Sequence, residues 1–135
     1  MLGNEQQDAF VTAHRWAVIT TLRQNGQPSS SVVAYARDGD ELVISTPEGR
    51  LKTRTLLRDP RLTVCIISNA EPFNYVTVEG RATIQRDDLI EPTRAVFANI
   101  ADTGYQQPAD LGKWIVDDHR VIIRVSAERV HGVIR

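Results

Sequence analysis

The stretch VISTPEGRLKTRTLLRDP, residues 43–60, decides the fold and the candidate site. It begins as an apolar, β-branched run, turns through Pro-Glu-Gly and continues as a short basic helix that carries Arg50 and Lys52. A helix start attracts anions through its unpaired N–H groups and its positive dipole end. Arg50 adds a planar fork of donors and Lys52 adds a mobile charge. The stretch therefore predicts a phosphate site, and the alternative is that Glu48 and Lys52 only pair on a solvated helix face.

The composition is that of one globular unit. The chain has 135 residues, 41% of them hydrophobic and 24% charged, which suits a single domain over residues 1–135. Its formal net charge is −1, so binding nucleic acid through bulk charge is not expected, and any anion site must be local.

The sequence favours a cytoplasmic protein. The first residues, MLGNEQQDAF, have neither the basic nor the apolar region of a signal peptide, and no later run is apolar for long enough to cross a membrane. A lone Cys65 cannot form an internal disulfide, which fits a reducing compartment.

Short strands joined by tight turns occupy most of the chain. We expect strands at residues 16–22, 29–36, 41–46, 62–68, 75–84, 120–125 and 130–134. Between them we expect a helix at residues 8–14, the basic helix ending before Pro60, and a helix from an Asp87 or Asp88 cap to about residue 100. Gly80 is a candidate bulge, and residues 101–118 are either a loop over a groove or a surface connector. This order predicts a mostly β fold, a small antiparallel barrel with peripheral helices.

Residues for cofactor-free chemistry are few. His14, His119 and His131 are scattered without the spacing of a zinc site, so we predict no metal. Cys65 lies in an apolar strand, where burial favours an inert thiol. If the protein is an enzyme, we expect an organic cofactor to supply the chemistry.

Three segments together resemble a known family. They are TLRQNGQPSSSVVAY, DGDELVISTPEGRLKTRTLLRDPRLTV and YVTVEGRATI, and with the order of elements they look like the split β-barrel flavin-binding family related to pyridoxamine 5′-phosphate oxidase. The resemblance covers residues 12–135, and the Gly-Arg-x-Lys motif is most similar to the branch that uses the deazaflavin coenzyme F-420. Pyridoxamine phosphate oxidases proper carry carboxy-terminal Trp and Arg-Leu-Pro elements that this sequence lacks, so oxidation of vitamin B6 is not expected.

The resemblance implies a cofactor groove between the two subunits of a homodimer. Arg50 and Lys52 match the residues that bind the cofactor phosphate, Ser45 and Thr46 match the strand end beside it, and residues 30–33 match the strand under the ring. Residues 67–69 and 75–77 would reach across the interface. The implied cofactor-binding residues are Ser30, Ser31, Val32, Val33, Ser45, Thr46, Arg50, Lys52, Ile67, Ser68 and Tyr75.

The function implied is reduction of a small molecule. The protein would bind reduced F-420 and direct its hydride to an electron-poor double bond, with Tyr75, Tyr105 or solvent as the proton source. Three alternatives stay open: an FMN-dependent reductase or oxidase of the same fold, a carrier that binds the deazaflavin without turnover, and a barrel with an empty groove.

Overall fold

The protein forms one curled antiparallel sheet with helices outside it. The computed structural model describes residues 1–68, 70 and 73–135. The strands are β1 (Trp16–Leu22), β2 (Pro28–Ala34), β3 (Ala36–Asp38), β4 (Glu41–Pro47), β5 (Arg61–Ile67), β6 (Tyr75–Gln85) and β7 (Arg120–Val133). The helices are α1 (Glu5–Ala13), α2 (Leu51–Arg58), α3 (Ile90–Asn99), a 3₁₀ turn (Ala101–Thr103) and α4 (Leu111–Asp117). The predicted fold class, a mostly β antiparallel split barrel with peripheral helices, is confirmed.

The sheet curls so far that its two edges are consecutive in the chain. The strand order is β2-β1-β5-β6-β7-β4-β3, and all neighbours pair antiparallel. Only Tyr35 separates the edge strands β2 and β3. The buried Tyr35 hydroxyl donates to the Val11 carbonyl at 2.6 Å, and the Asn99 side chain donates to the Tyr35 carbonyl at 2.8 Å. These bonds satisfy polar groups of Tyr35 outside the strand-to-strand pairing of the sheet. The chain can therefore pass directly from one edge strand to the other.

Alternating side chains divide the apolar residues between two cores. In β1 and β5 every second residue is buried, so one face of each strand points into the barrel. The barrel core is built on fully buried side chains such as Ile19, Ile44 and Ile66. A smaller core lies on the other face of β4 and β7, where Val96 of α3 covers Val43 and Ile122. Helix α3 is thereby fixed on the outside of the barrel, above the end of β4.

Two predicted boundaries are wrong. The strand predicted at residues 29–36 is two strands, because Tyr35 interrupts it. The cap of α3 is Leu89 and not Asp87 or Asp88, and no side chain caps the helix. Asp88 has φ +55°, a left-handed conformation that the usually extended N-cap position does not take. The Gln85 side chain holds this turn by donating to the carbonyls of Asp87 and Asp88 at 2.8 and 3.2 Å.

The end of the chain is one long strand where two were predicted. The register shifts between Glu79 and Gly80, which pair with Arg129 and Ala127, so Glu128 is the extra residue of a β-bulge. The bulge predicted at Gly80 is confirmed. A Cβ at Gly80 would lie 2.0 Å from the Ser126 carbonyl oxygen, and this close approach requires glycine.

The remaining segments complete the description. Residues 101–118, predicted as a loop or connector, contain the 3₁₀ turn and α4. Strands β5 and β6 pair as an antiparallel hairpin; Asn69, Glu71 and Pro72 of its connection lie outside the described residues. No helix in the described part of the chain combines the length and hydropathy needed to span a membrane.

Candidate functional site

The polar end of the site is the start of α2. Arg50 is the N-cap residue with extended backbone angles, and no side chain caps the helix. The first turn has no acidic residue, so no internal carboxylate neutralises the positive dipole end. The Thr53 hydroxyl donates to the Pro47 carbonyl at 3.3 Å and ties the first turn to the end of β4. The helix start is therefore tied to β4 and open to an external anion.

The alternative pairing of Glu48 with Lys52 is wrong. The Glu48 carboxylate instead pairs with Arg86, with its Oε1 2.8 Å from Nη2 of the guanidinium. Among the residues that the structure describes, neither Arg50 nor Lys52 has a carboxylate within ion-pair distance. Both cations remain available to an anion.

A third cation reaches the same place from the other end of the chain. Arg120 begins β7 and pairs with Pro47, the last residue of β4, and the Glu48 N–H donates to the His119 carbonyl at 2.8 Å. Nε and Nη2 of the Arg120 guanidinium donate to the Ser45 hydroxyl oxygen at 3.3 and 3.2 Å. Nη1 donates to Asp118 at 3.0 Å, and the guanidinium carbon lies 4.5 Å from the centre of the Trp114 ring.

The three cations repel one another. Partial burial lowers the pKa of Lys52, and the charges of Arg50 and Arg120 lower it further. Burial also lowers the pKa of Arg120, with Asp118 acting in the opposite direction and Arg50 adding to the decrease. A site in which positive charges are crowded and partly desolvated binds negative ligands well, because the ligand relieves the repulsion.

The cations lie at one end of a cavity of about 520 Å³ with largely apolar walls. Strands β1 and β2 form one wall, α3 forms the second, and Tyr105 with Trp114 of α4 forms the third. Phe97 and Trp114 meet edge to face, with ring centres 5.5 Å apart. The lining residues are Trp16, Val32, Val33, Ala34, Ser45, Thr46, Pro47, Arg50, Lys52, Val96, Phe97, Ile100, Tyr105, Trp114 and Arg120. Such a cavity suits a planar organic ring with an anionic tail.

The structure brings together six of the eleven predicted cofactor-binding residues. Those that line the cavity are Val32, Val33, Ser45, Thr46, Arg50 and Lys52. Ser30 and Ser31 lie farther along β2, outside the cavity and exposed, and the Ser30 hydroxyl is 2.8 Å from that of Thr20. Their cofactor roles stay predictions.

Ile67, Ser68 and Tyr75 do not line the cavity of their own chain. Trp16 pairs with both Ala34 and Ile67, and Ile67 pairs with Tyr75, so these side chains share one face of the sheet. Ser68 follows β5, and its N–H donates to the Asn74 carbonyl at 3.3 Å. Ile67 and Tyr75 therefore lie on the outward surface that continues from the cavity wall.

Cys65 lies on this same outward surface. It is half-buried, not fully buried as its apolar strand suggested, because it alternates with the inward-facing Val64 and Ile66. Within residues 1–68, 70 and 73–135, no three His, Cys, Asp or Glu side chains are grouped closely enough to hold a metal ion.

Sequence reasoning missed half of the cavity. Arg120 was assigned only to a strand, and Trp114 only to a segment of undecided structure. The available signal was Asp110, which caps α4 by accepting from the Lys113 N–H at 3.0 Å and precedes an apolar helical pattern. Recognising that helix would have assigned Trp114 to a helix and not to an undecided segment.

Comparisons with known proteins agree with this geometry. Residues 4–134 match the family model described as pyridoxamine 5′-phosphate oxidase. The chain resembles the structure of an F-420 reductase with a TM-score of 0.77 and 22% identity, over 96% of this chain and 98% of that one. A conserved hypothetical protein from Mycobacterium tuberculosis gives a TM-score of 0.75 and 25% identity, over 96% and 83% of the two chains. An FAD-binding protein from Mesorhizobium loti gives a TM-score of 0.70 and 20% identity, over 96% of this chain and 92% of that one. At 20% and 22% identity, the likeness shows a shared fold.

Proposed function

The chain belongs to the pyridoxamine 5′-phosphate oxidase family, and we propose that within it the protein is a reductase that uses the deazaflavin coenzyme F-420. One observation carries the proposal: Arg50 and Lys52, without carboxylate partners among the described residues, form the polar end of an aromatic-walled cavity. A flavin or deazaflavin has the matching parts, a planar ring system and a phosphate on a flexible chain.

The residues of the chain place this ligand. Arg50 and Lys52 would bind the phosphate together with the N–H groups at the start of α2. The backbone of β2 at Val32 and Val33 would meet the polar edge of the ring, and Phe97 and Trp114 would cover the ring from α3 and α4. Since apolar side chains form these walls, the bound ring would be held in a largely dry environment.

When bound, reduced F-420 supplies a hydride for an electron-poor double bond of a small organic substrate. The protein contributes proximity by fixing donor and acceptor at a short distance. A proton must also reach the reduced product. Tyr105 is our first candidate for this step, because it lines the cavity and is still 65% exposed, so that its hydroxyl can exchange protons with solvent.

The F-420 assignment is supported by the charge beyond the cavity. F-420 carries a phosphodiester followed by a tail of carboxylates, so its negative charge extends past the phosphate. Arg54 lies one turn after Arg50 on α2, is exposed, and has no ion pair among the described residues. It would meet the tail where the tail leaves the cavity.

FMN is the second candidate cofactor, and the local charge count favours it. Arg50, Lys52 and Arg120 face the single carboxylate of Asp118, which leaves a local charge of about +2. A phosphate monoester is a dianion near neutral pH and would balance this charge without a tail. The protein would then be a flavin-dependent oxidoreductase of the same fold.

Fluorescence titration tests the proposal directly. The chain has two tryptophans, and both line the cavity, so a bound ring should quench its intrinsic fluorescence. We expect F-420 to quench this fluorescence at a lower concentration than FMN, because it binds more tightly. We also expect the protein to consume reduced F-420 when an electron-poor alkene is added. Binding without turnover would favour the carrier, and purification with a bound yellow flavin would favour FMN. No quenching by either cofactor would contradict the proposal.

We also propose that two copies form a C₂ dimer through the outward face of β1, β5 and β6. Val18, Cys65, Ile67 and Tyr75 present a half-buried apolar surface there, and its neighbour Val32 at the cavity is 68% exposed. In such a dimer this surface of each subunit would close the open side of the other's cavity.

Light scattering tests the dimer. Val18→Arg should give a monomer with weakened cofactor binding, because it places a charge in the centre of the apolar face. Leu57→Asp is the control, since Leu57 is 57% exposed on α2 and away from that face. A parent protein that is monomeric with cofactor bound would refute the dimer.

A further inference from the structure

The Arg120 side chain makes several contacts beyond the backbone pairing of its strand. Its side chain is only 18% exposed, lies against the Trp114 ring, and makes hydrogen bonds with both Ser45 and Asp118. The β4–β7 register and the Glu48–His119 backbone hydrogen bond fix the position of the Arg120 backbone. The result is a charged group held in one orientation at the edge of the cavity, beside two other cations.

The guanidinium has donors to spare. Arginine offers five N–H groups, and three of them are used, two by Ser45 and one by Asp118. The other two, one on each terminal nitrogen, have no partner among the described residues, and Arg120 lines the cavity. A planar fork with two remaining donors is suited to an oxyanion.

Ser45 is affected by the same arrangement. Its hydroxyl oxygen accepts two N–H groups from Arg120, which occupies the lone pairs of the oxygen. The hydroxyl hydrogen must then be donated elsewhere. Ser45 also lines the cavity, next to the start of α2, so an anion bound by Arg50 and Lys52 is in a suitable place to accept it.

We propose that Arg120 is a third phosphate-binding residue of the cavity, that it prepares the Ser45 hydroxyl as a fourth donor, and that Asp118 weakens the site by competing for the guanidinium. The proposal deepens the proposed function and rests on it for the identity of the ligand. Under this proposal, Arg120 at the start of β7 and Asp118 at the end of α4 set how much more tightly the site binds a phosphate-bearing ligand than the same ring without phosphate.

The test measures how much the phosphate adds to binding. For each variant, calorimetry measures the affinities for FMN and riboflavin, or for F-420 and its riboside without the phosphate. The ratio of the two affinities gives the contribution of the phosphate to binding. Arg120→Gln should lower this ratio about tenfold or more and change the affinity for the phosphate-free ligand by no more than about twofold. Arg120→Lys should lie between Arg120→Gln and the parent, because it keeps the charge and loses the fork. Ser45→Ala should lower the ratio about threefold.

Asp118→Asn separates the proposal from a merely structural role. If Asp118 competes with the ligand for Arg120, removing its charge should raise the affinity for the phosphate ligand about two- to fivefold. If the Asp118–Arg120 pair only supports the fold, the same change should weaken both ligands. Equal losses for the two ligands in Arg120→Gln, or weaker phosphate binding in Asp118→Asn, would overturn the proposal.

Inorganic phosphate distinguishes this failure from failure of the proposed function. We expect phosphate to raise the melting temperature of the parent protein more than that of Arg120→Gln at the same concentration. If this holds while no flavin or deazaflavin binds, the role of Arg120 stands and the cofactor assignment falls. If flavins or deazaflavins bind and Arg120→Gln keeps the parent ratio, the cofactor assignment stands and the role of Arg120 falls.

Discussion

Replacing Lys52 with methionine should change two properties of the protein in opposite directions. The Lys52 amine is partly buried, faces Arg50 and Arg120, and has no carboxylate partner among the described residues. Methionine retains an unbranched apolar side chain and removes the charge. We therefore expect the ligand-free protein to become more stable and its affinity for a phosphate ligand to fall.

The two magnitudes are measurable. Loss of one charge-assisted contact costs about 1.5–3 kcal/mol, or roughly 10- to 150-fold in Kd. Relief of repulsion at a half-exposed, solvent-screened amine is smaller, about 0.3–1 kcal/mol. For 135 residues the unfolding entropy is about 0.28 kcal/mol/K, so the melting temperature should rise by about 1–4 °C.

The assay pairs thermal melts in a phosphate-free, low-salt buffer with fluorescence titrations of F-420 and FMN. Arg54→Met is the matched control for the melts and for the FMN titration, since Arg54 is an exposed cation on the same helix that does not line the cavity. It should move the melting temperature and the FMN affinity much less than Lys52→Met does. A Lys52→Met protein that melts at a lower temperature and binds the ligand as tightly as the parent would refute the reasoning.

Three further predictions concern ionisation and the fold. Because the pKa of Lys52 is lowered, affinity for the phosphate ligand should begin to fall at a pH below that at which an ordinary lysine titrates, and this step should be absent from pH titrations of Lys52→Met. In the same window the unfolded chain binds more protons than the folded chain, so the ligand-free protein should gain stability as pH rises, which melts at several pH values would show. Tyr35→Phe removes the donor to the buried Val11 carbonyl, and calorimetry should find a loss of about 1–3 kcal/mol, or about 4–11 °C in melting temperature. An unchanged melting temperature would mean that the 2.6 Å bond contributes little.

Local sequence was sufficient for the parts of the molecule that form from neighbouring residues. Arg50 and Lys52 could be assigned to a helix start because the strand, turn and helix that place them lie within residues 43–60. The Gly80 bulge was likewise visible as a glycine inside an alternating strand. Such features need no knowledge of which strands pair.

Features created by distant pairing could not be predicted in this way. Arg120 reaches Ser45 only because β7 pairs with β4 in one register, and nothing near Arg120 in the sequence specifies that partner. The break at Tyr35 depends on contacts with Val11 and Asn99, which come from two separate helices. The turn at Asp88 was missed for another reason: aspartate favours caps as well as left-handed turns, and the side chain of Gln85 decides between them.

We expect the single piece of chain that forms both edges of the sheet to couple the opening of the two edge strands. Folded proteins open locally in contiguous cooperative units, and amide hydrogen exchange reports the opening of each unit. Here β2 and β3 are joined through the buried Tyr35, so we expect release of that side chain to free residues 28–38 together. A ligand in the cavity would contact Val32 and Val33 of β2 and not β3, yet its protection against hydrogen exchange should extend to Ala36 and Arg37. Occupancy of the site would thus be registered at the opposite edge of the sheet.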